Sequence, residues 1–173
     1  QTWPGVFTSI YLYEPVVLPR PFLASTPLLV ASARRRRATF ASREAAASSL
    51  ASKPPMSLFD GAVLHAYIAA CLVDRDGAVA LAADPADEAA VYEEAAQLGA
   101  AAWSGLAGLA TTPTTVAGSG DGGPLAQVAP EVATAAGGRL DTFAELTHLG
   151  PFEKPGDVAA RVVGGLLSGR ARL

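Results

Sequence analysis

Beyond Thr111 the chain alternates between strand-like and helix-like patterning, and few architectures accept that alternation. Pro113 to Gly118 is a short run rich in β-branched residues, which predicts a strand. A Gly-rich loop follows, Ser119-Gly120-Asp121-Gly122-Gly123. Pro124 suits the first position of a helix that stops at Gly137-Gly138. Arg139 to Phe143 predicts a second strand. Pro155 begins a last helix with Val158, Val162, Val163, Leu166 and Leu167 along one stripe. Strand, helix, strand, helix with short loops predicts two parallel strands joined by a right-handed crossover.

The rest of the chain reads differently. Val6 to Tyr13 is a near-continuous apolar run ending at Glu14-Pro15, as expected of a strand buried in a sheet. Residues 15–33 hold several prolines and read as an irregular excursion. Ser42 and Asp60 are placed to cap helices, and Asp84-Pro85 pairs a capping acid with Pro at the first helical position. The second of these helices carries Val63, Leu64, Tyr67, Ile68, Cys71 and Leu72 at helical spacing, and the third carries Val91, Tyr92, Ala95 and Leu98. Asp76-Gly77 predicts a turn, with a short strand or extended segment at Ala78 to Ala82, and a shorter helix is expected around Trp103 to Leu109. Residues 34–110 therefore read as mainly helical, without strand–helix alternation. The expected division is 1–33, 34–110 and 111–173.

Composition removes several classes of function. Half of the residues are hydrophobic and 17% are charged, which fits a folded chain rather than a disordered one. The net charge of −3 gives no general attraction to nucleic acid or to an anionic membrane. Arg34-Arg35-Arg36-Arg37 is the one basic run, and a solvated helix end or loop explains it better than a nucleic-acid patch. A single cysteine, Cys71, leaves no internal disulfide and is compatible with a reducing, cytoplasmic setting. No apolar run has the length to span a bilayer. The chain opens on Gln1 rather than Met, which implies a processed or truncated N-terminus.

Chemistry concentrates in two loops. In a parallel α/β sheet, ligands meet the loops at the carboxyl ends of the strands. Asp121 and His148 occupy such loops after neighbouring predicted strands. An acid beside a histidine fixes its tautomer and stabilises its protonated form. The histidine can then serve a nucleophile as general base and a leaving group as general acid. Each residue also has a plainer explanation: His148 as a loop histidine bonded to backbone, Asp121 as a turn aspartate. Glu14, at the end of the first strand, is the alternative acid, with a structural strand-end role as its plainer explanation. His65 beside its helix stripe is expected to be solvated. Tyr67, Tyr92 and Trp103 are expected to pack in cores rather than line a cleft, and Glu153 to cap or brace the last helix. No Cys/His cluster has metal spacing, and the Gly-rich stretch lacks both P-loop and dinucleotide order.

These segments resemble the end of an α/β-hydrolase. His148-Leu-Gly-Pro151-Phe-Glu153-Lys-Pro155-Gly-Asp-Val158 is similar to the family's catalytic histidine followed by Pro, an acid and Pro, then a helix. Thr115 to Asp121 resembles its acid-bearing strand end, and Ser9 to Pro15 the strand that follows its nucleophile helix. Residues 34–110 fall where the family inserts a helical cap. The resemblance implies an α/β fold, a partial parallel sheet with an inserted mainly helical cap, and a hydrolase whose nucleophile, His148 and Asp121 form a triad. The expected substrate is a small ester-like molecule or a related compound, with no cofactor, no metal and neither nucleic acid nor membrane as partner. Esterase, lactonase, C–C hydrolase, epoxide hydrolase and dehalogenase all remain open, since the last two use Asp in place of Ser as nucleophile. The chain departs from the family at two points. Thr147 stands where Gly usually precedes the histidine, and no Gly-x-Ser-x-Gly elbow occurs anywhere. The nucleophile is therefore expected outside these 173 residues. The alternative is a non-catalytic binding or interaction module of the same fold.

Overall fold

The computed structural model describes residues 6–19 and 26–170, and the chain divides into two compact units. One comprises Gln1–Ala24 and Ala95–Leu173, the other Ser25–Glu94.

The first unit is built on a parallel sheet of three strands, β1 (Ile10–Tyr13), β5 (Thr114–Ser119) and β6 (Arg139–Phe143), with β5 in the centre. All six residues of β5 are buried. Its sequence is small and β-branched throughout because both faces of a parallel sheet are covered. The two-residue period of a strand then assigns neighbours to opposite faces. Val116 packs with Leu12 and with Val128, Ala129, Val132 and Ala133 of helix α5 (Pro124–Ala135). Ala117 packs instead with Tyr11, Tyr13, Phe143, Leu146 and Val158, the last from helix α7 (Pro155–Arg170). The register Leu12↔Val116 and Tyr13↔Ala117 keeps each pair on a shared face. A 3₁₀ turn, Leu106–Leu109, and Trp103 complete the α5 side. A short helix, α6 (Gly150–Glu153), stands between the histidine loop and α7.

The second unit pairs helices with an antiparallel sheet of order β2 (Thr39–Phe40), β4 (Ala78–Leu81), β3 (Leu72–Arg75). Asp76 (φ 52°) and Gly77 (φ 75°) both adopt the left-handed region, as a tight hairpin between right-twisted strands requires. Helices α1 (Thr26–Arg34), α2 (Arg43–Ala51), α3 (Gly61–Cys71) and the start of α4 (Pro85–Gly105) belong to this unit. The capping residues act as their positions suggest. Ser42 Oγ accepts from Ala45 N, Asp60 from Ala62 N and Val63 N, and Asp84 from Ala86 N. Phe40, Ala46, Leu72, Val79 and Leu81 form one core cluster; Val30, Ala33 and Ala89 form another with Tyr92.

Several expectations need correction. Thr26–Arg34 is a helix within the stretch read as irregular, because Pro27 is tolerated in a first helical turn. The middle of the chain contains a sheet: Leu72 belongs to β3 and not to α3, and β2 is too short to show as a pattern. Helix α4 continues unbroken to Gly105, through the start of the shorter helix expected around Trp103. Val91 and Leu98 are exposed, so Ala89 and Tyr92 form the covered face of α4 in its unit; Val163 and Leu167 of α7 are also exposed.

Among the described residues Phe143 is the largest fully buried side chain of the sheet unit, set against Tyr13 with ring centroids 5.3 Å apart and planes tilted by 57°, and covered by Arg161 at 4.4 Å. Phe143→Ala is expected to lower stability by about 3–5 kcal/mol, read from urea unfolding.

Candidate active site

All three candidate residues sit at the carboxyl ends of the parallel strands. Glu14 follows β1, Asp121 follows β5, and His148 lies in the loop after β6. The sheet order β1-β5-β6 places the Asp121 loop between the other two.

The ring of His148 meets Glu14. Nδ1 is 2.8 Å from Glu14 Oε2, while the side chain of His148 is half exposed and that of Glu14 is 1% exposed. The other carboxylate oxygen, Oε1, accepts a hydrogen bond from Ser119 N at 2.7 Å. Glu14 thus leans over the end of the central strand, and the ring of His148 meets it from the loop after β6. A carboxylate only accepts, so the bond to it requires the proton on Nδ1 and leaves Nε2 as the acceptor of a neutral ring. Glu14 itself has φ 38°, in the left-handed region that non-glycine residues seldom enter. That conformation costs about 1–3 kcal/mol and persists only where surrounding contacts enforce it. Glu14 N, bonded to Ala117 O at 2.9 Å, keeps β1 in the sheet up to the residue that turns away.

Asp121, expected to meet the ring, bonds its own turn and the backbone of His148 instead. Its Oδ1 accepts from Ser119 Oγ and Gly123 N, each at 2.8 Å, and its Oδ2 accepts from His148 N at 3.2 Å. The carboxylate is folded over its own turn, as aspartates in Gly-rich loops commonly are, and its hydrogen bond to His148 goes to the backbone N rather than the ring. Burial pushes its pKa up, but the bonds from Gly123, Ser119 and His148 outweigh burial and hold it below the usual carboxylate range.

The loops are held together by close backbone approach. Gly120 N donates to Leu146 O at 3.0 Å, and a Cβ on Gly120 would collide with the Ala144 carbonyl. Tyr13 Oη donates to Thr147 O at 2.7 Å, in space that a side chain on Gly150 would fill. The Tyr13 hydroxyl is pushed up to about 12, by burial first and then by the carboxylates of Glu14, Glu153 and Asp121. Glu153 bonds both the backbone N and the hydroxyl of Thr147, so it braces the histidine loop rather than capping α7.

The remaining polar candidates have local roles. Arg34 pairs with Glu93, Arg36 with Glu88 and Tyr67, and Arg37 lies over Phe40, so most of the basic run is engaged within its own unit. Trp103 and Tyr92 pack against core clusters, and His65 is exposed. Among the described residues no group of three or more His, Cys, Asp or Glu side chains is gathered for a metal ion, and no helix is long and apolar enough to cross a membrane.

In sequence, no family model and no curated protein matches the chain. Similarity appears in three dimensions. The chain superimposes on the peroxisomal alpha-beta-hydrolase Lpx1 from Saccharomyces cerevisiae with a TM-score of 0.78 at 17% identity, over 98% of this chain and 48% of that one. It superimposes on E-2-(acetamidomethylene)succinate hydrolase with a TM-score of 0.69 at 12% identity, over 96% of this chain and 60% of that one. The chain spans about half the length of the first and three fifths of the second. Over the span it shares with them, this chain has the α/β-hydrolase fold.

Proposed function

We propose that this chain is the histidine- and acid-bearing part of a hydrolase whose nucleophile lies outside these residues. His148 is the proton carrier and Glu14 the acid that orients it. The observation that carries this reading is the 2.8 Å contact between Nδ1 of a half-exposed imidazole and a fully buried, backbone-strained carboxylate. Burial makes the pair stronger than it would be in water and fixes one tautomer. The hydrolase fold of the two structural neighbours supports the same assignment.

In this reading Nε2 of His148 takes the proton of an upstream nucleophile as that nucleophile attacks a carbonyl of the substrate. The imidazolium, stabilised by Glu14, then gives the proton to the departing group. Water hydrolyses the covalent intermediate by the same route in reverse. A small ester or related compound is the proposed substrate. Asp121, expected from the sequence to be the acid, becomes a residue that holds the histidine loop. The Ser25–Glu94 unit stands along the chain where such hydrolases insert a cap, and we assign it that role.

The test is turnover of p-nitrophenyl esters by a protein that joins this chain to its nucleophile-bearing segment. His148→Ala is expected to reduce kcat by about 10⁴-fold or more. Glu14→Gln is expected to cost up to about 10⁴-fold, and more than Asp121→Asn. A larger loss for Asp121→Asn would return the acid role to Asp121. Absence of turnover in the unaltered joined protein would favour a binding module of the same fold, and equal turnover in all variants would remove His148 as the proton carrier. Turnover by the chain alone, lost on His148→Ala, would place the nucleophile within it.

Two pH limits follow from the shifted groups. The depressed pKa of Asp121 stabilises the fold above the ordinary aspartate value, and this contribution is lost as pH falls through the lower folded value. The raised pKa of Tyr13 contributes fully below pH 10, the ordinary value, and is lost as pH rises through about 12. Thermal unfolding of Asp121→Asn should be less acid-sensitive than that of the unaltered chain as pH falls below the ordinary aspartate value, and that of Tyr13→Phe less alkali-sensitive between pH 10 and about 12.

A further inference from the structure

We infer that the position of His148 is set by a clamp of two carboxylates, Asp121 and Glu153, acting with the hydroxyl of Thr147 on consecutive backbone groups of its loop. The inference rests on the reading of His148 as proton carrier and adds three positioning residues to it.

The backbone N–H groups of the loop are bonded in sequence. Thr147 N donates to Glu153 Oε2 at 3.2 Å, and His148 N donates to Asp121 Oδ2 at 3.2 Å. Leu149 N donates to Thr147 Oγ1 at 3.1 Å, and Gly150 N closes a turn on Thr147 O at 2.9 Å. Thr147 Oγ1, while accepting from Leu149, donates its own proton to Glu153 Oε1. Loops usually leave such groups to water. Here three of the four end on side chains, drawn from two different strand connections, so the loop cannot rotate without breaking several bonds together.

The geometry explains why a threonine stands immediately before the histidine. Its hydroxyl is the central link of the clamp, with one bond to Glu153 and one from Leu149. The bonds of the clamp join the loop's peptide N–H groups and the Thr147 hydroxyl, so it positions the ring without touching it. Ring chemistry is left to Glu14.

Imidazole ¹⁵N–¹H spectra of the 173-residue chain test this, since they report which ring nitrogen carries the proton. The unaltered chain should show a proton on Nδ1 that exchanges slowly with water. Glu153→Ala, which removes the bonds from both Thr147 N and Thr147 Oγ1, should lower the ratio of Nδ1–H to Nε2–H tautomer about tenfold. Glu153→Gln should restore it, because an amide can accept from Thr147 N and donate to Thr147 Oγ1. Asp121→Asn should also lower the ratio, since one amide oxygen cannot serve both its own turn and His148 N. Thr147→Val should lower it and Thr147→Ser retain it; this pair decides the matter if an alanine variant fails to fold. An unchanged ratio in Glu153→Ala and Asp121→Asn, whatever their melting temperatures, would overturn the clamp. An unchanged ratio in Glu14→Gln alone would instead remove Glu14 as the ring's partner and leave the clamp to the other variants.

Discussion

The site depends on one buried carboxylate with two assigned partners. Glu14 places Oε1 on the backbone of the central strand, through Ser119 N, and Oε2 on the ring of His148. A charge this deeply buried is tolerated only when its lone pairs are matched. Matching them ties the end of β1 to the end of β5 and to the loop after β6. The cost of the left-handed backbone at Glu14 is offset within the same arrangement, because β1 must leave the sheet there for the side chain to turn inward. Packing supports the tie from below. Phe143 carries Tyr13, and Tyr13 holds the carbonyl of the residue before the histidine.

Much of this was legible in the sequence because strands and helices repeat at different periods. The change of rhythm after Thr111 gave the β5–α5–β6–α7 order, and caps at Ser42, Asp60 and Asp84 fell at helix starts. The elements that were missed have identifiable causes. Helix α1 was hidden by the prolines that precede it and by Pro27 in its first turn, although Pro27 followed by Leu28, Leu29 and Val30 is a helix-compatible run. Strands β2 and β3 were hidden by brevity and by the apolar stripe that runs through Cys71 into Leu72; the Asp76-Gly77 pair between two extended runs was the available hairpin signal.

The choice between carboxylates was a different kind of problem. Sequence placed Asp121, Glu14 and His148 at the same end of one sheet. It did not reveal that the oxygens of Asp121 would be taken by Ser119, Gly123 and the backbone of His148. Turn chemistry is local and strong, so a short side chain in a Gly-rich loop satisfies its neighbours first. Glutamate at a strand end has no such local claim and one more methylene of reach. Thr147 was legible as a departure from the hydrolase pattern, and only the fold supplied its partner in Glu153.

A double-mutant cycle measures the direct interaction of Glu14 with the imidazole of His148 most simply. Unfolding free energies of Glu14→Gln, His148→Gln and the double variant should show a coupling between about 0.5 and 3 kcal/mol, the range for residues in contact. Losses that add within about 0.3–0.5 kcal/mol would mean that the two side chains do not meet, and the account of the site built on their contact would be wrong.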